Sequence, residues 1–128
     1  MGKSIKADIY AAKKYINKIK HASDSGIEFS LSLFEFKRIV SKKLCFYTGV
    51  IMSKPIGESS AKDSDLTLDR IDNSKGYVSG NVVACTKAAN NIKAIWENPK
   101  FSITVENARD VAQKTIDILN KINKIDKS

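Results

Sequence analysis

Residues 68–93, LDRIDNSKGYVSGNVVACTKAANNIK, bring together carboxylate, amide and cationic side chains. Asp69 supplies a carboxylate and Asn90 an amide, whose oxygens are hard ligands of the kind that Mg²⁺ or Mn²⁺ takes in proteins, and Asn81 supplies a second amide that can hydrogen-bond. Arg70 can bind phosphate oxygens, but a guanidinium group keeps its proton and does not act as a general base near neutral pH. These residue types therefore indicate metal and phosphate chemistry.

The pattern of apolar and polar residues predicts a strand, a turn, a second strand and a helix around these side chains. Apolar and polar residues alternate over residues 66–71, turn-forming residues follow at 72–76, and a second strand is predicted at 81–84. Thr86 can cap a helix that runs to Asn98, where the following proline ends it.

Two helices are predicted before this segment. Apolar residues repeat at steps of four and three over residues 5–19 and form one stripe of a helix. The stripe consists of Ile5, Ile9, Ala12, Ile16 and Ile19. Cap and turn residues at 21–26 predict a loop. Ser32 and Glu35 form a capping box for a second helix that runs to about Lys43.

The other segments complete a single compact domain of 128 residues. Aromatic and β-branched residues at 44–51 predict a short strand or loop, residues 53–65 predict an exposed loop, and residues 104–124 predict a long amphipathic helix. Cys45 and Cys85 have no CxxC partners, so we expect buried core residues and no structural zinc. The domain divides into a basic helical part at 1–43, a central part at 44–98 and a C-terminal helix at 99–128.

In this central part the sequence resembles the HNH endonucleases of the His-Me finger class. The resemblance is carried by the Asp-Arg-Ile-Asp opening at 69–72 and continues to Lys93, and CFYTG at 45–49 is similar to the segment that precedes the motif in small phage and bacterial members. The family implies an α+β fold in which a ββα-metal finger, a short β-hairpin packed on a helix, is embedded in a helical domain. That implied order matches the strand, turn, strand and helix predicted above.

The resemblance also implies roles for four residues. Asp69 matches the carboxylate that binds the single divalent ion, and Asn90 matches the helix residue that completes the metal site. Asn81 matches the second-strand amide that orients the general base. Arg70 stands where the family usually has that base, a histidine, and this is the main departure from the pattern.

Arg70 is therefore expected to grip the scissile or an adjacent phosphate, while a metal-bound water or another side chain provides the nucleophile. His21, the one histidine, lies outside the motif. We expect it to be a helix-end residue, with the missing base as the weaker alternative. Lys93 is three residues after Asn90, so both can share a helix face and Lys93 can reach a phosphate.

The net charge of +8 indicates a polyanionic partner, although a lysine-rich surface can also serve solubility alone. The expected partner is double-stranded DNA, bound mainly through its backbone. The candidate DNA-binding residues are Lys93, Lys75 and Lys87 in the central part, and Lys13, Lys14, Lys20, Lys37, Arg38, Lys42 and Lys43 in the basic helical part.

The sequence thus favours a metal-dependent DNA endonuclease that uses one Mg²⁺ or Mn²⁺ ion. The alternative is a catalytically degenerate HNH-fold protein that binds DNA, and a weaker third hypothesis makes the helical flanks a protein-interaction surface. No apolar run approaches the roughly 18 to 20 residues that cross a bilayer, and the basic N-terminus lacks the apolar core of a secretory signal. We therefore expect no membrane partner and a cytoplasmic location, in a bacterial cell or a phage-infected host.

Overall fold

The computed structural model describes residues 2–55 and 60–127. Their elements follow the order α1 (Gly2–Asp24), α2 (Leu33–Val40), β1 (Leu66–Arg70), β2 (Val82–Thr86), α3 (Lys87–Glu97) and α4 (Val105–Lys127). This mixture of helices with an antiparallel strand pair confirms the α+β class. Residues 56–59 of the predicted loop at 53–65 lie outside the described residues. No helix in the described ranges is long and apolar enough to cross a membrane.

Contacts divide the chain into two compact units, residues 1–90 and residues 91–128, and the boundary falls within α3. The first unit contains α1, α2, the strand pair and the first turn of α3. The second contains the rest of α3 and α4, which begins after Thr104, whose hydroxyl accepts a hydrogen bond from the backbone N–H of Asn107 at 3.4 Å.

Helix α1 ends later than its sequence pattern predicts. The loop expected at residues 21–26 is wrong in its first part, because the helix continues to Asp24 and buries Ala22 completely. Gly26 then adopts a φ of +68°, and the N–H groups of Gly26 and Ile27 donate to the carbonyls of Ser23 and Ala22. This is a Schellman ending, in which glycine adopts the left-handed conformation that other residues resist.

The face that α1 buries also differs from the predicted stripe. The isoleucines of the stripe are exposed, with Ile16 at 64% exposure, whereas Tyr10, Ala11 and Ala22 enter the core and Tyr15 packs against it. Small alanines allow close approach of the helix, and the tyrosine rings bury large apolar areas. Periodicity identified a helix, but packing selected a different face from the isoleucine face.

Helix α2 begins as its capping box predicts. The Ser32 hydroxyl accepts from the N–H of Glu35 at 3.1 Å, and the Glu35 carboxylate accepts from the N–H of Ser32 at 3.4 Å. The helix ends at Val40 and not at Lys43, because the backbone turns at Ser41, whose hydroxyl donates to the carbonyl of Arg38. Helix α2 contacts both α1 and β2, and its buried Phe36 is fully enclosed.

The two strands pair in antiparallel register, from Leu66 opposite Thr86 to Arg70 opposite Val82. The second strand was predicted at 81–84, but it is shifted to Val82–Thr86, so the connection between strands spans residues 71–81. Leu66, Leu68, Val82 and Ala84 bury their side chains in the core with those of α1 and α2. The sheet thus packs one apolar surface against the helical part.

The long connection is held by the segment that follows α1. The backbone N–H of Tyr77 donates to the carbonyl of Glu28 at 2.8 Å, and the N–H of Ser30 donates to the carbonyl of Tyr77 at 3.1 Å. The rings of Tyr77 and Phe29 lie 5.9 Å apart. Gly76 lies so close to this segment that a Cβ atom there would clash with the carbonyl oxygen of Glu28.

We expect Gly76→Ala to lower the free energy of unfolding by about 2–3 kcal/mol, since the added methyl group must displace backbone. Gly49→Ala is the control. Gly49 has a φ of +72° and open space around it, so this substitution should lower the free energy of unfolding by about 1–2 kcal/mol through backbone strain alone. Urea unfolding followed by circular dichroism measures both. Equal or smaller loss for Gly76→Ala would contradict the close approach.

Candidate functional site

Asp69 is a carboxylate that the fold places inside the protein, near the end of β1. It lies opposite Val83 in the strand pair and is only 5% exposed. The hydroxyl of Tyr47 donates a hydrogen bond to its Oδ2 atom. A buried carboxylate must be hydrogen-bonded or bound to a cation, because transfer of an unpaired charge from water is costly. Asp69 is thus the residue around which a site can form.

Tyr47 is a site residue that the sequence reasoning did not identify. It lies within CFYTG, and its approach to Asp69 follows from how residues 44–51 dock on β2. The N–H of Phe46 donates to the carbonyl of Ala84 at 3.0 Å, and the Sγ atom of Cys45 accepts from the N–H of Thr86 at 3.3 Å. The similarity of CFYTG to the HNH segment was the available signal, but it gave Tyr47 no role.

Cys45 and Cys85 are buried, as expected for core residues. Burial opposes ionisation of the Cys45 thiol and raises its pKa, but hydrogen bonds from Thr48, Thr86 and Tyr47 outweigh burial and bring the pKa down to about 7. Because the Cys45 sulfur accepts a hydrogen bond from the N–H of Thr86, the thiol also attaches residues 44–51 to the end of β2, next to the start of α3.

Arg70 directs its guanidinium toward the turn after β1. Its Nη1 atom donates to the carbonyls of Asn73 at 3.0 Å and Lys75 at 2.9 Å. The guanidinium carbon also lies 5.4 Å from the centre of the Tyr77 ring, which is cation–π distance. The Arg70 side chain therefore holds the turn through its backbone carbonyls.

Asn81 is buried just before β2, one residue outside the strand in which it was predicted. Its Nδ2 atom donates to the carbonyls of Asp72 at 3.1 Å and Gly76 at 2.9 Å, and its Oδ1 atom accepts from the N–H of Asp72 at 2.9 Å. One amide therefore ties together both ends of the turn that follows Asp69.

Asn90 lies half-buried in the first turn of α3, in the same compact unit as Asp69. The start of this helix is well defined. The Thr86 hydroxyl accepts from the N–H of Ala89 at 3.2 Å, which confirms the predicted cap, and the N–H of Lys87 donates to the carbonyl of Asp65 at 2.9 Å. Sequence-predicted site residues thus lie on β1, before β2 and on α3.

The donor chemistry of Asp69 and Asn90 fits a hard divalent ion. Mg²⁺ accepts one or two protein oxygens and keeps several waters, so a carboxylate with an amide is a sufficient protein contribution. Among the side chains that the structure describes, those of residues 5–55 and 60–123, there is no group of three or more His, Cys, Asp or Glu that could hold a metal. A metal site here would therefore rely on these two oxygen donors and on water or phosphate oxygens.

Lys14, a candidate DNA contact, turns inward. Its ammonium donates to the carbonyl of Leu66 at 3.1 Å and lies 5.8 Å from the Tyr10 ring centre. Burial lowers the pKa of Lys14, and burial together with the charges of Lys14 and Arg70 lowers that of Lys18. The contacts of Lys14 hold α1 against β1.

Two further candidate contacts are paired with acidic neighbours. Lys93 forms an ion pair with Glu97 at 2.6 Å along α3, and Lys37 forms one with Asp8. Eight of the candidate DNA-binding residues are exposed: Lys13, Lys20, Lys37, Arg38, Lys42, Lys43, Lys75 and Lys87. His21 is exposed in the last turn of α1. Trp96, on α3, is 41% exposed.

We expect Asn81→Ala to lower the free energy of unfolding by about 2–4 kcal/mol, because it leaves several polar backbone groups of the turn without partners. Asn73→Ala, an exposed amide on the same turn, is the matched control and should change stability by less than about 0.5 kcal/mol. Urea titrations of the two variants give the comparison. Similar stabilities would show that the amide does not hold the turn.

No family model matches the chain, and no solved structure matches it significantly. The chain is similar to a protein of Enterobacteria phage T4, described as an uncharacterized 29.0 kDa protein in the dda-modA intergenic region. The two are 33% identical over 67 residues, which is 52% of this chain and 25% of the phage protein. The chain thus matches about a quarter of the length of that relative.

Proposed function

We propose that the protein is a metal-dependent DNA endonuclease with an HNH-like ββα-metal finger formed by β1, β2 and α3. The observation that carries the proposal is the Asp69 carboxylate, buried near the end of the first strand of a strand, turn, strand and helix sequence. A sheet that needed only stability would place an apolar residue there, since an ionised carboxylate loses hydration when it is buried. A divalent ion would stabilise this carboxylate further, in addition to the hydrogen bond that it accepts from Tyr47.

Asp69 and Asn90 would hold the ion, with one carboxylate and one amide oxygen. When bound, Mg²⁺ or Mn²⁺ neutralises the charge that grows on a phosphodiester and stabilises the leaving oxygen. Tyr47 donates to Oδ2 of Asp69 and so restricts how the carboxylate can rotate. In metal sites, hydrogen bonds of this kind orient the ligand.

Arg70 and Asn81 would act on the site through the turn at residues 71–76. Both side chains bind carbonyls of this turn, which begins directly after β1. We assign Arg70 a positioning role and, through its fixed positive charge, attraction of the phosphate that approaches Asp69. Arg70 cannot take a proton from water, so the nucleophilic water must lose its proton to another acceptor.

The basic surface supports DNA as the substrate. The net charge is +8, and eight of the candidate contacts, counted above as exposed, lie on α1, α2, the loop after α2, the turn and the start of α3. Lysine dominates this surface, which favours contacts with phosphates over bidentate reading of bases. We therefore propose that binding affinity comes from the DNA backbone, with few hydrogen bonds to base edges.

A second candidate function is DNA binding without cleavage. The position of the family's histidine base is held by Arg70, whose Nη1 atom is engaged by carbonyls of the turn. If an arginine that holds the turn has replaced the histidine base, the ββα fold and the basic surface can still bind DNA, but the protein no longer hydrolyses it.

A plasmid relaxation assay with Mg²⁺ or Mn²⁺ separates the two functions. We expect the wild-type protein to convert supercoiled DNA to the open form. Asp69→Asn should reduce the rate by about 100-fold or more because it removes the negative charge that would hold the ion, and Asn90→Ala should do so because it removes the amide oxygen. Asn91→Ala, the exposed amide next along α3, is the matched control and should retain full rate. Binding without relaxation in either metal would favour the second candidate.

Binding to duplex DNA should weaken steeply with salt. If about five to nine phosphates are neutralised, the slope of log K against log salt is roughly −4 to −8. Binding is measured with the Asp69→Asn variant, because this substitution slows cleavage of the DNA during the titration. Replacing both Lys42 and Lys43, which are exposed, by Ala should reduce the slope by about 2. A slope near zero contradicts backbone binding and with it both DNA functions.

A further inference from the structure

Residues 44–51, here termed the apolar loop, present large apolar side chains to solvent. Phe46 is 61% exposed and Ile51 is 73% exposed, and Leu44, Tyr47 and Val50 are also exposed. Soluble proteins rarely gather this many large apolar groups on one short surface segment unless the segment contacts a partner. The apolar loop therefore indicates a binding function.

The backbone of the apolar loop is fixed, so the exposure does not come from a loose segment. Leu44 and Ile51 form an antiparallel bridge, the N–H of Cys45 donates to the carbonyl of Val50 at 2.8 Å, and the N–H of Gly49 donates to the carbonyl of Cys45 at 2.9 Å. Gly49 turns the chain with a φ of +72°. The buried Cys45 and the docking of Phe46 on Ala84 tie the loop to the sheet.

The residues around the apolar loop indicate the chemical class of its partner. Tyr47 of this loop donates to the candidate metal ligand Asp69, and the exposed Lys42 and Lys43 directly precede the loop. A partner at this place must offer anionic groups to the lysines and flat apolar groups to Phe46. Nucleic acid has both, in its phosphates and its bases.

The ring of Phe46 is held for such a contact by its neighbour. The rings of Phe46 and Tyr47 meet edge to face, with centres 5.1 Å apart and planes at 90°. This aromatic pair limits the orientations of Phe46, and Tyr47 is in turn restrained by Asp69. Little side-chain freedom remains to be lost when a base stacks on Phe46.

We propose that Phe46 is a wedge that inserts at a base step of duplex DNA, next to the phosphate that faces Asp69. The inference rests on the proposed DNA binding but does not require cleavage. Apolar side chains that insert between base steps unstack them and bend the duplex. Since pyrimidine–purine steps such as TA unstack most easily, the apolar loop directs binding, and any cutting, to such flexible steps.

The test uses the 128-residue chain with Asp69→Asn, which slows cleavage of the DNA, and a duplex that carries 2-aminopurine at a central TA step. Binding should raise the 2-aminopurine fluorescence as the base unstacks. Adding Phe46→Ala should abolish the rise and weaken binding about tenfold, and Phe46→Trp should preserve both. Phe34→Ala, an exposed phenylalanine on α2, is the matched control and should behave like the parent.

The outcomes separate this inference from the endonuclease proposal. Unstacking that depends on Phe46 supports the wedge even if the wild-type protein cuts no plasmid. Plasmid cutting with no fluorescence rise, or with equal rises for the parent and Phe46→Ala, overturns the wedge and leaves the nuclease intact. Binding to anionic vesicles or self-association that Phe46→Ala abolishes, without unstacking of DNA, assigns the apolar loop to a membrane or a second copy and overturns the proposal.

Discussion

The burial of the Asp69 carboxylate is the constraint on which the candidate site depends. A carboxylate that loses its hydration must recover that free energy from hydrogen bonds or from a cation. The hydroxyl of Tyr47 supplies one such bond, and it does so because residues 44–51 dock along β2 through Phe46 and Cys45. The hydrogen bond to the buried Asp69 carboxylate thus comes from a loop that is attached to the sheet at two other points, Phe46 and Cys45.

The same region shows how side chains with expected catalytic roles also carry structural ones. Asn81 and Arg70 use their donors on carbonyls of the turn at residues 71–76, and Gly76 permits the turn to lie against Glu28. The turn begins directly after β1, one residue beyond Asp69, so its shape affects the direction in which β1 ends. A site built on such a turn gains rigidity, because its backbone groups are paired within the fold.

Four lysines in the middle and last part of α1 form two groups that the sequence alone does not distinguish. Lys14 and Lys18 lie along the core, with aliphatic stems against protein and ammonium groups near a carbonyl and the rings of Tyr10 and Tyr77. Lys13 and Lys20 face solvent and remain available to a polyanion. Some of the positive charges of α1 thus stabilise the fold, and others are exposed and can bind a partner.

The sequence by itself determined the elements whose signals are local. The capping box of Ser32 and Glu35, the Thr86 cap and the order of strand, turn, strand and helix all follow from neighbouring residues, and each is present in the structure. Tertiary structure alone decided that α1 buries Tyr10 and Ala11 in preference to its isoleucines, that Lys14 turns inward, and that Tyr47 meets Asp69. The reason is physical: caps and turns are satisfied within a few residues, whereas buried faces and long-range hydrogen bonds are selected by how distant segments fit together.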